Sequence, residues 1–175
     1  MINLFFNVKT IKKTESRSIF EIEPLYPGYG VTLGNTIRRI LLSSIEGAAI
    51  TQVKIKKATS EFVNLPGIKE DVLEITLNLK KIKLSLTGEG PQKIELKASG
   101  EKEIKAGDIK TPPQVEIINK DLHIASLTKK NSKLEMEMTV EKGLGYVQAE
   151  KIKQGKSEIG VIYLDAIFSP VIKVA

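Results

Sequence analysis

The chain reads as an α+β protein, on three observations. Long stretches alternate apolar and polar residues with a period of two, as in Leu134-Glu-Met-Glu-Met-Thr-Val140. Two shorter stretches instead repeat at helical spacing, and turn-forming Gly and Pro clusters separate them. The alternation is clean enough to demand antiparallel strands with one wet face.

Residues 1–23 are expected to form two strands, Val8–Lys12 and Ser18–Glu23, around a polar turn from Lys13. Pro24, Pro27, Gly28 and Gly30 then deliver the chain into a first helix within Val31–Gly47. Leu33, Ile37, Ile40, Leu41 and Ser44 share one face of it, with Ile45 at the margin, and that stripe is wide enough to dock on the domain's own core. Asn35, Arg38, Arg39 and Leu42 form the opposite face. Only three of the 27 basic residues are arginine, and two of those three stand here. Arginine suits desolvated, forked contacts with carboxylates, whereas lysine prefers water. The helix is therefore expected to be packed on both sides, once by its own domain and once by another polypeptide. Gly47 fits a helix C-cap.

Ala48–Lys57 reads as a strand with Val53 and Ile55 on one face. A second helix is expected over Ile68–Lys80 after the Pro66-Gly67 turn, with Glu70 and Asp71 in its first turn. Ile68, Val72, Ile75 and Leu79 form its inner stripe, and Leu73, Leu77 and Lys80 a back face. That back face is covered either by a loop of the same domain or by a partner. Strands follow around Ile82–Leu86, Ile94–Ala98, Gln114–Ile118, Leu122–Leu127 and Leu134–Val140. The nearly unbroken apolar run Ile159–Phe168 is expected to be a central strand buried on both faces, in which Asp165 needs a partner.

Composition narrows the chemistry. The chain has 175 residues, 41% apolar and 27% charged, which are globular values. It has no cysteine, so disulfides and thiolate metal sites are excluded, and its single histidine, His123, makes His-based metal or acid–base chemistry improbable. No cofactor and no metal are expected. No apolar run approaches the ~20 residues of a membrane helix, although Met1–Phe6 is briefly apolar, and a cytoplasmic setting is expected. The net charge of +6 invites a nucleic-acid reading, with Lys80, Lys81 and Lys83 as phosphate contacts. Lysines elsewhere are interleaved with glutamates, as in Glu101-Lys-Glu-Ile-Lys105, and no aromatic residues accompany the cluster to stack bases. A direct basic nucleic-acid-binding module is thus the alternative function.

Gly28, Gly30 and Gly34 miss the dinucleotide-binding spacing, and no Gly-Lys-Ser/Thr follows them. Gly143-Leu-Gly145 reads as a bend or hairpin. His123 reads as a strand residue with a hydrogen-bond partner. No carboxylate pair or Ser–His arrangement marks a catalytic site.

Several motifs, in order, resemble the N-terminal domain of the bacterial RNA polymerase alpha subunit. They are Phe20-Glu-Ile-Glu-Pro-Leu25, Gly28-Tyr-Gly30, Thr32-Leu-Gly-Asn35, Arg38-Arg-Ile-Leu-Leu-Ser-Ser44, Glu70-Asp-Val-Leu73 and Leu77-Asn-Leu-Lys80. Asp108-Ile, Val115-Glu-Ile-Ile, Gly143-x-Gly-Tyr-Val147 and Asp165-Ala-Ile-Phe-Ser-Pro-Val171 extend the match. The resemblance implies a non-catalytic assembly platform, a subunit of a nucleotidyltransferase complex. It dimerises with a second alpha subunit, recruits the beta and beta-prime subunits, and meets DNA only indirectly.

The implied organisation is a discontinuous dimerisation subdomain with an inserted β-rich subdomain. Residues 1–47 are the first half, 48–170 the insertion, and 171–175 the start of the return. By resemblance Leu33, Ile37, Ile40, Leu41 and Ile45 serve the dimer. Arg39 and Leu42 match positions that hold beta, with Arg38 beside them, and Lys80, Leu164 and Val171 match positions used towards beta-prime. Asn35, Leu73 and Leu77, on the outward faces read from spacing, are expected at subunit interfaces. Leu144 and Gln148 stand where the family commonly has Arg and Pro, so a contact made by that arginine does not carry over. In the family the chain goes on after the Ser-Pro-Val motif into return strands, a long dimer helix and a DNA-binding C-terminal domain, whereas this sequence stops at Ala175. Residues 1–175 alone are expected to dimerise weakly.

Overall fold

The computed structural model describes residues 6–154 and 158–175. The apolar opening Met1–Phe5 lies outside the described residues. The chain is mixed, mostly strand, with antiparallel pairing throughout, as the alternation demands. It divides into two compact units at Leu41/Leu42.

In the first unit, β1 (Asn7–Lys13) and β2 (Ser18–Glu23) form an antiparallel ribbon, closed by Thr14 N donating to Arg17 O at 2.7 Å. Helix α1 runs Tyr29–Ser43 and crosses the unit boundary. Contrary to the docking expected from its stripe, α1 has no buried residue. Leu33 and Leu41 are half-buried and Ile40 is 51% exposed. A two-stranded ribbon and one helix have too little apolar surface to enclose a core.

In the second unit, β3 (Glu46–Ile55) is the spine. On one side it pairs with β9 (Lys133–Leu144) over nearly its whole length. Its other side is shared by β4 (Leu84–Leu86) at Ala48 and by β11 (Val161–Tyr163) at Gln52–Lys54. Outward lie β5 (Gln92–Ser99) beyond β9 and β7 (Val115–Ile117) beyond β4. A bulge at Thr51 shifts the parity of β3, so that Ile50 and Val53 both face inward despite their odd spacing. β6 (Lys102–Lys105) and β8 (His123–Leu127) form a second ribbon. Ile94, Leu96, Met136 and Met138 of the sheet, Ile104 and Ile124 of the ribbon, and the second helix close one core.

That helix, α2, spans Val72–Leu79, shorter than expected. Asp71 caps it, its carboxylate accepting from Glu74 N at 2.6 Å. Ile68 and Glu70 precede the cap, so neither lies in the first turn: Ile68 bridges Leu127 and Glu70 turns inward. Val72, Ile75 and Leu79 are fully buried, as their spacing demands.

Two other expectations are corrected. Gly47 is not a C-cap; it lies within β3, paired with Gly143 of β9. A Cβ on Gly47 would stand 1.9 Å from the Phe168 carbonyl oxygen, and one on Gly143 would stand 2.6 Å from the Phe168 ring. The two glycines thus form a slot for Phe168. The run Ile159–Phe168 is not one central strand. It breaks at Leu164-Asp165 into β11 and β12 (Ala166–Ile167), and Ile159 is 96% exposed. An unbroken apolar run carries no period, so burial could not be read from it. β12 pairs with β10 (Tyr146–Val147), entered through Gly145 at φ +61°, which bears out the bend. Helix α3 (Ala149–Lys153) follows. No helix among the described residues is long and apolar enough to cross a membrane.

Candidate functional site

Two helix faces carry most of the residues singled out from sequence. On α1, Asn35, Arg38 and Arg39 are exposed and Leu42 is half-buried. On the other stripe Ile37 and Ile40 are exposed, and Leu33, Leu41 and Ile45 are half-buried. Gly30, Gly34, Thr32 and Thr36 give α1 low intrinsic propensity. Thr36 Oγ1 donates back to Thr32 O at 2.9 Å, which satisfies its hydroxyl within the helix. Beside the helix start, Phe6, Leu25, Tyr29 and Leu33 line a shallow recess of about 170 Å³.

On α2, Leu73 and Leu77 are exposed side by side at i, i+4 while Val72, Ile75 and Leu79 anchor the opposite face. Lys80, at the C-cap, sends Nζ to Asp165 Oδ2 at 3.0 Å. Asp165 Oδ1 accepts from Ala149 N at 2.9 Å, the amide that opens α3. Tyr146 adds a smaller influence that also favours the Asp165 carboxylate. The Ala149 amide, the Lys80 ammonium and Tyr146 together outweigh partial burial and hold the Asp165 carboxyl below its usual range. The partner that the sequence required for Asp165 is thus a pair of donors, the Lys80 ammonium and the Ala149 amide. This knot joins the end of α2, the start of α3 and the β11–β12 junction.

Leu164 is 3% exposed, and its amide donates to Thr51 O at 2.9 Å. Its side chain lies in the core, and its neighbour Asp165 is the group near the surface. Val171 is half-buried, its amide donating to Ser169 Oγ at 3.3 Å. Next to the knot, Tyr146 and Ile167 are cross-strand partners and both exposed, with Leu144 exposed at the end of β9.

The geometry bears on the nucleic-acid alternative. Lys80 is held by Asp165, and Lys81 Nζ donates to Asn78 Oδ1 at 3.1 Å, so two of the three clustered lysines are engaged within the chain.

His123 is half-buried with both ring nitrogens occupied. Nε2 lies 2.9 Å from Glu70 Oε1 and Nδ1 lies 2.9 Å from Glu103 Oε1. Glu70 is 5% exposed and also accepts from Ser126 N at 2.6 Å and Ser126 Oγ at 3.0 Å. The Glu70 carboxylate raises the imidazole pKa against partial burial, with Glu103 adding to it. Burial opposes the charge on Glu70, but the Ser126 amide, His123 and the Ser126 hydroxyl outweigh it and keep its pKa low. The sequence predicted a bonded strand histidine. The two carboxylates were invisible in it, because they come from residues far apart in the chain.

In the second unit, exposed Leu73, Leu77, Tyr146 and Ile167 are apolar residues, and the Lys80–Asp165 pair sets fixed charge beside them. A family model described as the RNA polymerase Rpb3/RpoA insert domain matches residues 53–169, and the chain belongs to that family. It is similar to the DNA-directed RNA polymerase subunit alpha of Desulforudis audaxviator, 54% identical over 155 residues that make up 89% of this chain and 49% of that protein. Against the same subunit of Carboxydothermus hydrogenoformans it is 51% identical over 167 residues, 95% of this chain and 53% of the relative. Against that of Bifidobacterium adolescentis it is 53% identical over 159 residues, 91% and 48% respectively. The chain spans about half the length of these relatives.

Proposed function

We propose that the chain is a non-catalytic assembly platform of a bacterial DNA-dependent RNA polymerase, working in the cytoplasm. It pairs with a second alpha subunit and recruits beta and beta-prime. The observation that carries this reading is α1: fifteen residues without one buried, bearing two of the three arginines on one face and Ile37 and Ile40 on the other. A helix of low propensity with no fully buried residue on either face gains stability from cover by another chain. The similarity to alpha subunits supplies the identity of that cover.

In this reading residues 1–47 are the first half of a discontinuous dimerisation subdomain, 48–170 the inserted β-rich subdomain, and 171–175 the start of the return. The match of the insert family to residues 53–169 supports the division. Leu33, Ile37, Ile40, Leu41 and Ile45 face the second alpha subunit, and Asn35, Arg38, Arg39 and Leu42 face beta. Leu73, Leu77, Lys80 and Val171 face beta-prime, with Leu164 buried behind Asp165 to hold the Lys80 knot in place.

The test is retention of beta by the complete alpha subunit carrying Arg39→Ala. An interface arginine of this kind is worth about 2 kcal/mol, or roughly thirtyfold in affinity. Unchanged retention of beta would remove the role given to this face.

A further inference from the structure

A basic concavity of about 280 Å³ lies in the second unit, away from both helix faces. The end of β3, Lys56-Lys57, forms one wall, the turn Leu65-Pro66-Gly67 another, and the β8–β9 turn a third. Backbone hydrogen bonds hold these walls. Lys56 N donates to Glu135 O at 3.0 Å, Thr128 N to Gly67 O at 2.9 Å, and Ser132 N to Lys129 O at 3.0 Å. Lys56, Lys57, Lys129 and Lys133 line it with Asn131, and no carboxylate does. Lys56 is matched by Glu135 at 2.8 Å. Among the described residues, Lys57, Lys129 and Lys133 make no salt bridge.

Two further features sit in the same walls. Lys57 has φ +72°, the one described non-glycine residue with positive φ. A lysine there is strained where glycine or asparagine would be cheaper, and such strain gathers at functional sites. Ser132 is 95% buried, being 5% exposed, and its hydroxyl has no hydrogen-bond partner. It packs against Gly67, where a Cβ would come within 2.1 Å of Oγ. A buried orphan hydroxyl costs stability unless something satisfies it.

We propose that this concavity binds a compact, multiply charged oxyanion of the diphosphate type. Three ammonium groups outside any salt bridge, with Glu135 the carboxylate near Lys133, and the Asn131 amide suit three or four negative charges on adjacent tetrahedral centres. The Ser132 hydroxyl becomes a further donor by turning about its one side-chain torsion. No aromatic ring lines the site, so a base has nothing to stack on, and the enclosure favours a free small anion over a nucleic-acid strand. This assignment is independent of the assembly role.

The experiment is calorimetric titration of the full chain with inorganic pyrophosphate at low ionic strength, without divalent metal. Saturable binding at one site per chain is expected, weakening as salt rises. The double variant Lys57→Gln/Lys133→Gln should bind at least tenfold more weakly, while Lys83→Gln/Lys120→Gln, exposed and outside the lining, should bind within twofold of the parent. Ser132→Ala should melt higher than the parent without ligand, yet gain less from pyrophosphate. If Lys57→Gln/Lys133→Gln folds poorly, Lys129→Gln takes its place with the same expected loss. Absence of saturable binding would overturn the proposal, as would equal losses in the two double variants. So would a single-stranded oligonucleotide that binds and that pyrophosphate fails to displace, since the site would then belong to nucleic acid.

Discussion

His123 sits between two carboxylates, which makes its protonation a matter of stability. Its folded pKa lies above the ordinary 6.5 because Glu70 and Glu103 accept from both ring nitrogens. The stabilisation is therefore fully present below about pH 6.5 and fades as pH rises through the raised value. Glu70 and Asp165 have lowered pKa values, so their contribution is present above about 4.5 and 3.8 respectively and fades as pH falls through the folded values. We expect urea midpoints to be highest between these limbs, and His123→Gln to flatten the alkaline limb and weaken the Glu70 part of the acid limb while leaving the Asp165 part in place. An unchanged alkaline limb in that variant would show that another group carries it. Gly47 supplies a second residue-level expectation. Its missing Cβ admits the Phe168 carbonyl, so Gly47→Ala should lose about 1–3 kcal/mol or more in chemical denaturation. The glycine's place in the chain pointed to a helix end. The true reason, a close approach by a residue near the other end of the sequence, is not a local property.

At the level of elements, α2 shows how a short helix is built and what it offers. Asp71 bonds Glu74 N, and Asp71→Ala should cost about 1 kcal/mol. Leu73 and Leu77 are exposed, so Leu73→Ala/Leu77→Ala should shift stability by only about 0.5 kcal/mol per site while weakening co-purification of beta-prime with the complete subunit. A large loss of stability instead would mean that the chain itself covers this face. The inner stripe of α2 was legible in the sequence, because a 3.6-residue period survives any tertiary setting. Its start was not: Ile68 and Glu70 fit the same period but are taken by β8, through the Leu127 bridge and Ser126. The alternating strands were legible for the same reason as the stripe. β6 went unread because only Ile104 of its four residues is buried, which is too short a pattern to recognise.

For the molecule as a whole, the second unit has one continuous core, whereas among the described residues of the first unit none is fully buried. A ribbon and a helix with only half-buried residues have little burial to hold their own order in water. We expect residues 1–175 to sediment as a weak dimer, and residues 1–41 to lose hydrogen-exchange protection before the β-rich unit does. A tight stoichiometric dimer with uniform protection would contradict this. The α+β class, the strand alternation, the two helices and the outward placement of Arg38 and Arg39 all follow from periodicity and side-chain chemistry, which act over a few neighbouring residues. The Lys80–Asp165–Ala149 knot, the carboxylates on His123, the slot for Phe168 and the break in the Ile159–Phe168 run depend on which distant segments the sheet brings together. Those pairings are set by the summed burial of one shared core, and no window of adjacent residues contains them.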